Sequence, residues 1–260
     1  MYAKKSLGQN FLNSKAVAHD IVRAAELAPT DTVLEIGPGK GFLTEELTAS
    51  GAHVIAVEKD DRMIPLLSEK FAEAISNKQF TLIHGDIVEI LEKGTLKLPS
   101  TYKLVANIPY YLTGYLVRVF LEAPSKPERM ILMLQKEVAD RIVARDKKES
   151  ILSIAVKTYG TPRLVKKVPA RYFTPAPKVD SAVLAIENIS SKNFIDADAE
   201  KRFFEIVRTG FAHKRKKLAG NLRELFGDKT IPILTQANVS VDVRAEDIAL
   251  DDWLALTKKS

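Results

Sequence analysis

Thr32-Val33-Leu34-Glu35-Ile36-Gly37-Pro38-Gly39-Lys40-Gly41 is the stretch on which the fold turns: a short apolar run closed by glycine at every second position. Thr32 to Ile36 reads as a strand bounded by a turn, and a helical pattern opens near Phe42. Glycine at 37, 39 and 41 lets the backbone turn sharply and approach a ligand, while the N-terminus of the following helix favours negative charge nearby. Strand, glycine turn and helix in that order make the first unit of an open α/β sheet.

Outward from this stretch, strand-like and helix-like patterns alternate: His53 to Val57, a helix from about Asp60, Phe80 to His84, and a short helical piece after Asp86. Lys103 to Ala106, a helix from about Thr113, and Met130 to Leu134 follow. Such alternation predicts a doubly wound parallel sheet with helices on both faces. Upstream, Val17, Ile21, Val22 and Ala25 keep helical spacing behind Asn13 or Ser14 as the N-cap. Downstream, helical stretches near Gln135 to Ala144 and Ile151 to Tyr159 precede two extended runs, Arg163 to Val168 and Ser181 to Ile186. Their proline-containing connection suits a terminal antiparallel hairpin on the sheet. Helical spacing then returns at Phe203, Phe204, Val207 and Phe211, and again at Leu218, Leu222 and Leu225. We therefore expect a large α/β domain over residues 1–189 and a small helical domain over 190–260.

A chain of 260 residues, 46% hydrophobic, suffices for one large and one small domain around a sizeable core. Its net charge of +6 favours a polyanionic partner, nucleic acid ahead of an anionic membrane surface. The absence of cysteine excludes disulfides, thiolate metal ligands and a catalytic thiol. His19, His53, His84 and His213 lack metal-ligand spacing, so no metal is expected. No apolar run is long enough to span a bilayer, and polar residues follow Met1 to Ser6, which predicts a cytoplasmic protein without a membrane partner.

The chemistry concentrates in Asn107-Ile108-Pro109-Tyr110, which ends the fourth strand. The Asn107 side-chain oxygen and the Ile108 carbonyl, set before Pro109, can both accept hydrogen bonds from an exocyclic amine. The Tyr110 ring can stack on the base that carries it. Such an arrangement suits methyl transfer to a nucleobase amine, adenine first, because the amine lone pair is delocalised into the ring and must be held out of plane to react. Glu58, about twenty residues beyond the glycine turn, can accept both hydroxyl hydrogens of a ribose. Glycine turn and acid alone fit a nicotinamide enzyme equally well; Asp86 and Asn107 separate the two. Asp86 can accept from an adenine amine, cap the next helix, or do both.

Phe173, in Tyr172-Phe173-Thr174-Pro175, could grip a base or fill a core gap. Lys157, Arg163, Lys166, Lys167, Arg171 and Lys178 carry positive charge with no acid between them, and His213-Lys214-Arg215-Lys216-Lys217 is expected to open a helix. Either tract is a solvated face or a set of phosphate contacts. We expect phosphate contact at Lys166, Lys167, Arg171, Lys214, Arg215, Lys216 and Lys217.

Taken jointly, Gly8-Gln9-Asn10-Phe11-Leu12, Glu35 to Gly41, Glu58, Gly85-Asp86, Asn107 to Tyr110 and Phe173 to Ser181 make nearly the whole chain resemble the KsgA-type ribosomal RNA adenine dimethyltransferases. That family is related to the Erm resistance methyltransferases. The resemblance implies a Rossmann-like class I methyltransferase sheet, S-adenosylmethionine as cofactor, and a small RNA-binding helical domain. It implies dimethylation of the exocyclic amine of two adjacent adenosines near the 3′ end of small-subunit ribosomal RNA, linked to ribosome biogenesis. By the same resemblance Asn10, Leu12, Gly37, Gly39, Glu58, Asp86 and Asn107 bind the cofactor. Asn107, Ile108, Pro109, Tyr110 and Phe173 form the catalytic pocket, with the adenine between Tyr110 and Phe173. The expected partner is RNA in a partly assembled small subunit, met by a monomer. An Erm-like enzyme of large-subunit RNA and a ribosome-assembly binding factor are the alternative readings. Where this chain departs from the family, Thr113-Gly114-Tyr115 replaces the common Ser/Thr-Pro step, which loosens the helix start beside the substrate cleft.

Overall fold

The structure, a computed structural model, describes residues 9–260, so Gly8 of the opening motif lies outside the described residues. The strands are β1 (Phe11–Leu12), β2 (Thr32–Ile36), β3 (His53–Glu58), β4 (Phe80–His84), β5 (Lys103–Asn107), β6 (Arg129–Gln135), β7 (Thr161–Val168), β8 (Phe173–Thr174) and β9 (Ser181–Glu187). The helices are α1 (Lys15–Ala25), α2 (Phe42–Ala49), α3 (Met63–Lys70), α4 (Ala72–Ser76), α5 (Ile87–Glu92), α6 (Thr113–Glu122), α7 (Lys136–Ile142) and α8 (Ile151–Tyr159). They continue with α9 (Ala197–Gly210), α10 (Leu218–Phe226), α11 (Thr230–Gln236) and α12 (Leu250–Lys259).

One sheet runs in the order β4-β3-β2-β5-β6-β9-β7. Its first five strands are parallel, and β9 is antiparallel to β6, with Leu184 opposite Leu132. β2, β3 and β6 are nearly continuous runs of buried residues, as strands covered on both faces must be. The fold is the doubly wound one expected, with β7 and β9 neighbours at its end. From β2 the chain works outward through β3 to β4, then crosses to β5 and works outward through β6. The order therefore reverses between β2 and β5, where the loops leaving adjacent strands part and open a crevice at their C-terminal ends.

β1 and β8, unforeseen in the sequence, form a separate antiparallel pair with Leu12 opposite Phe173 and Phe11 opposite Thr174. α1 is capped by Ser14, which accepts from the Val17 N–H, while the Asn13 amide donates to Thr174 Oγ1 at 2.9 Å. α1 buries Val17, Ala18, Ile21, Ala24 and Ala25 in the sheet's core. α6 begins at Thr113 without the proline, and Gly114 points where an added Cβ would meet nothing within 4 Å.

Two compact units emerge, 1–139 with 162–189, and 140–161 with 190–260. The expected division at 189/190 is thus one of three crossings, and residues 140–161, expected in the large domain, group with the helical one. Tertiary contacts explain why. The Tyr159 ring stacks on Phe204 at 6.0 Å and its hydroxyl donates to Glu200, the Asn193 amide donates to the Thr158 carbonyl, and the Glu149 N–H donates to the Glu246 carbonyl. Within this unit Phe211 stacks on Trp253, and Gly210 leaves the room that ring needs, since a Cβ there would sit 2.4 Å from it. Among the described residues no helix is long and apolar enough to cross a membrane.

Candidate active site

The three glycines after β2 all have left-handed backbone, φ +70° at Gly37, +59° at Gly39 and +72° at Gly41, a region where a Cβ is strained. Their surroundings differ. An added Cβ at Gly41 would lie 2.6 Å from the Phe71 ring, and one at Gly39 would lie 2.9 Å from Phe11, but at Gly37 it would meet nothing within 4 Å. Gly41 therefore serves packing, Gly39 makes room for Phe11, and Gly37 faces open space. Both Gly37 and Gly39 line a cleft formed by the C-terminal ends of β2, β3, β4 and β5 together with residues 9–12.

Glu58 ends β3 inside this cleft. Its carboxylate accepts from the Gly39 N–H at 2.9 Å and the Asp60 N–H at 2.7 Å, which ties the glycine turn to β3. Burial raises its pKa against the lowering effect of those backbone donors. Each oxygen keeps a further lone pair, so ribose hydroxyls can still be accepted. Glu35, which the sequence reading does not assign to the site, is 1% exposed, lines the same cleft and accepts from the Thr44 hydroxyl at 2.7 Å. Burial pushes its carboxyl up to about 8, helped by the nearby Glu58 charge. Asp60 is buried, accepts from the Gln9 amide at 2.8 Å and is paired with Arg62, whose hydrogen bonds hold its carboxyl well below the usual range.

Asp86 caps α5 by accepting from the Val88 N–H at 2.9 Å and also pairs with Lys59. Burial works to raise its pKa, but Lys59 and the capped N–H prevail and lower it. Across the crevice, the Asn107 amide donates through Nδ2 to the Asn10 carbonyl at 3.1 Å, and its Oδ1 accepts nothing from the described residues. The Ile108 N–H donates to the Met133 carbonyl, fixing the turn that follows. Tyr110 is half-buried with its hydroxyl 2.9 Å from Ser181 Oγ, and burial raises its pKa.

Asn10, Leu12, Gly37, Gly39, Glu58, Asp86, Asn107, Ile108, Pro109 and Tyr110 thus converge on one cleft. Phe173 does not join them: it is 4% exposed and packs in the core with Leu12, its partner across the β1–β8 pair. Residues 172–181 hold residues 11–13 in place through β8, Thr174 and the Tyr172 carbonyl, and Ser181 meets the Tyr110 hydroxyl. Glu35, Lys59, Tyr111 and Ser181 are cleft or supporting residues that sequence reasoning misses. Lys59 and Tyr111 adjoin recognised motif residues and Glu35 and Ser181 lie within recognised motifs, but the bond from Ser181 to Tyr110 is visible only through pairing distant in sequence.

The first basic tract is largely neutralised. Lys157 pairs with Glu149, Arg163 with Glu187, Lys166 with Asp20 and Lys167 with Asp180, and Arg171 lies 5.1 Å over the Tyr172 ring. In the second tract Lys217 pairs with Asp242, while Lys214, Arg215 and Lys216 are exposed without an ion pair to the described residues. These residues do not open a helix, since 213–216 form turns and Lys217 caps α10. Asn221, buried, pins the turns by donating to the Gly210 and His213 carbonyls. Among the described residues no group of three or more His, Asp or Glu side chains is placed to hold a metal ion.

The family model for ribosomal RNA adenine dimethylase matches residues 1–259. Ribosomal RNA small subunit methyltransferase A of Dehalococcoides mccartyi is 43% identical over 257 residues, covering 98% of this chain and 87% of its own length. The protein of the same name from Lactiplantibacillus plantarum is 38% identical over 269 residues, covering 99% and 90%. Among solved structures, the 23S rRNA methyltransferase ErmE is similar at 27% identity and TM-score 0.77, over 96% of this chain and 99% of its own. A dimethyladenosine transferase from Plasmodium falciparum shares the fold at 24% identity and TM-score 0.78, over 95% of each.

Proposed function

The chain belongs to the ribosomal RNA adenine dimethylase family, and from that premise we propose that its cleft dimethylates the exocyclic amine of two adjacent adenosines in small-subunit ribosomal RNA, with S-adenosylmethionine as donor. The observation that carries the reading is Asn107. Its Nδ2 is committed to the Asn10 carbonyl, which leaves Oδ1 as the acceptor of a side chain that lines the cleft. Oδ1 and the Ile108 carbonyl accept the amine hydrogens, two before the first transfer and one before the second, and hold the nitrogen lone pair toward the methyl; each alkylated nitrogen then gives up a proton to solvent. Positioning of this kind, with fixed dipoles where positive charge develops on nitrogen, supplies rate without a strong base.

The donor contributes an activated methyl on a sulfonium. The residues present fit such a group. Gly37 leaves open space beside the glycine turn, and Glu58 offers lone pairs to ribose hydroxyls. Glu35, Glu58 and Asp86 line that pocket with carboxyl groups, Glu35 in its neutral form. Asn10 and Leu12 close that pocket, and Tyr110 offers its ring to the base. The core position of Phe173 gives it the part of backing Leu12.

The helical unit, residues 140–161 with 190–260, meets RNA through Lys214, Arg215 and Lys216, which form no ion pair with the described residues. Reversing Arg215 and Lys216 should lower the salt slope of RNA binding by about one for each phosphate that is no longer neutralised. The reading extends to a cytoplasmic monomer acting on partly assembled subunits, which comparing naked RNA with subunits as substrate would check. The deciding experiment is incubation with labelled S-adenosylmethionine of unmethylated small subunits and, in parallel, of large-subunit RNA, followed by mapping of the modified bases. Dimethylation of two adjacent adenosines is the expected result. Label in large-subunit RNA alone would transfer the assignment to an Erm-like activity.

A further inference from the structure

Two consecutive tyrosines close the Asn107 wall, and they are held differently. Tyr110 is half-buried and bonded to Ser181, whereas Tyr111 is 63% exposed and makes no hydrogen bond or ring contact with the described residues. Both line the cleft. An aromatic ring left in water on a short turn is not explained by folding, because it contributes nothing to the core. Its backbone is nonetheless fixed: the Leu112 N–H donates to the Pro109 carbonyl and the Thr113 N–H to the Tyr110 carbonyl. Lys59, on the β3 side and paired with Asp86, lines the same cleft, so Tyr111 and Lys59 face one opening from the two walls. A fixed backbone carrying a free aromatic face at the mouth of a base-sized cleft is the arrangement by which proteins stack unpaired bases.

We propose that Tyr111 stacks on the nucleotide next to the adenosine held at Asn107, and so sets the register in which adjacent adenosines enter the cleft. The inference rests on the adenine-methylation reading above. Tyr111 acts on RNA binding, in the ground and transition states alike, and leaves the donor pocket untouched. Its signature is therefore a raised KM for RNA at unchanged kcat.

Steady-state kinetics on unmethylated small subunits, with each adenosine mapped, tests this in Tyr111→Ala, Tyr111→Leu and Tyr111→Phe. Alanine and leucine should raise KM for the subunit about tenfold, phenylalanine should restore it, and donor affinity should stay constant throughout. Leucine performing as well as tyrosine would overturn the inference, since bulk and not an aromatic face would then suffice. So would an unchanged KM in Tyr111→Ala while the unaltered chain methylates normally. If the unaltered chain modifies no small-subunit adenosine, the adenine-methylation reading itself fails and this inference falls with it.

Discussion

The two walls of the cleft are held by different physics. The wall from β2 and β3 is buried and internally satisfied: Glu58 accepts two backbone N–H groups, Thr44 donates to Glu35, and Gly41 fits against Phe71. The wall from β5 hangs on single hydrogen bonds to remote segments, Asn107 to Asn10 and Tyr110 to Ser181, and ends in a solvent-exposed ring at Tyr111. The donor side is thus built into the core and should fail through stability. The acceptor side is mounted on the core's edge and should fail through function while the chain stays folded.

The largest effect belongs to Glu35. Its carboxyl keeps a proton up to about pH 8 in the folded chain, but releases it near 4.5 when unfolded. Between those values the folded state binds more protons, so stability falls as pH rises, by about 1.4 kcal/mol per pH unit and on the order of 5 kcal/mol across the window. Below the unfolded value the group has no effect. Glu35→Gln should therefore gain on the original chain steadily from pH 5 to 8 in urea unfolding. A constant difference between the two would mean that Glu35 is charged in the fold and that the wall is less dry than its burial indicates.

Next comes Asn107→Ala, at about 3 kcal/mol of transition-state stabilisation, or roughly a hundredfold in turnover on saturating substrate. Its unfolding midpoint should shift little, because the residue is only partly buried and gives up one hydrogen bond to Asn10. A large loss of stability with modest loss of turnover would erase the contrast between the walls.

How much of this contrast the sequence announced follows the same division. The succession of strands and helices along the chain, the glycine turn and Asn107 to Tyr110 were legible because each is a local pattern: apolar runs of strand length, glycine where φ must be positive, an asparagine closing a strand. What could not be read depends on partners distant in the chain. For Phe173 the sequence left both a base grip and a core gap open, and only the β1–β8 pair places it in the core beside Leu12. Lys166 and Lys167 looked like free charge until the fold brought Asp20 and Asp180 to them. Tyr159 belongs to the helical unit because its ring meets Phe204, a pairing no local periodicity encodes.

Gly41→Ala gives a smaller effect on the buried wall. A left-handed φ and a Cβ 2.6 Å from the Phe71 ring together should cost about 2 kcal/mol, seen as a lower urea midpoint. Gly37→Ala carries the same backbone strain without the collision, so its excess effect should appear in donor binding, because its Cβ would enter the cleft. If both variants lose the same stability, contact with Phe71 is not what distinguishes the two positions.

Tyr110→Phe is the smallest and the most discriminating. It keeps the ring that would stack on the base and removes only the hydroxyl 2.9 Å from Ser181, leaving that buried serine without its partner. One neutral hydrogen bond is worth about 1 kcal/mol, roughly fivefold if the bond serves only to aim the ring. Ser181→Ala should then lose the same factor, and the double variant should lose no more than either alone, because both remove one bond. Turnover should carry the loss, with the urea midpoint moving by less than the Gly41→Ala shift. Additive losses would show that Ser181 supports β9 for its own reasons, and that Tyr110 is aimed by the turn at Pro109 and not by the edge of the sheet.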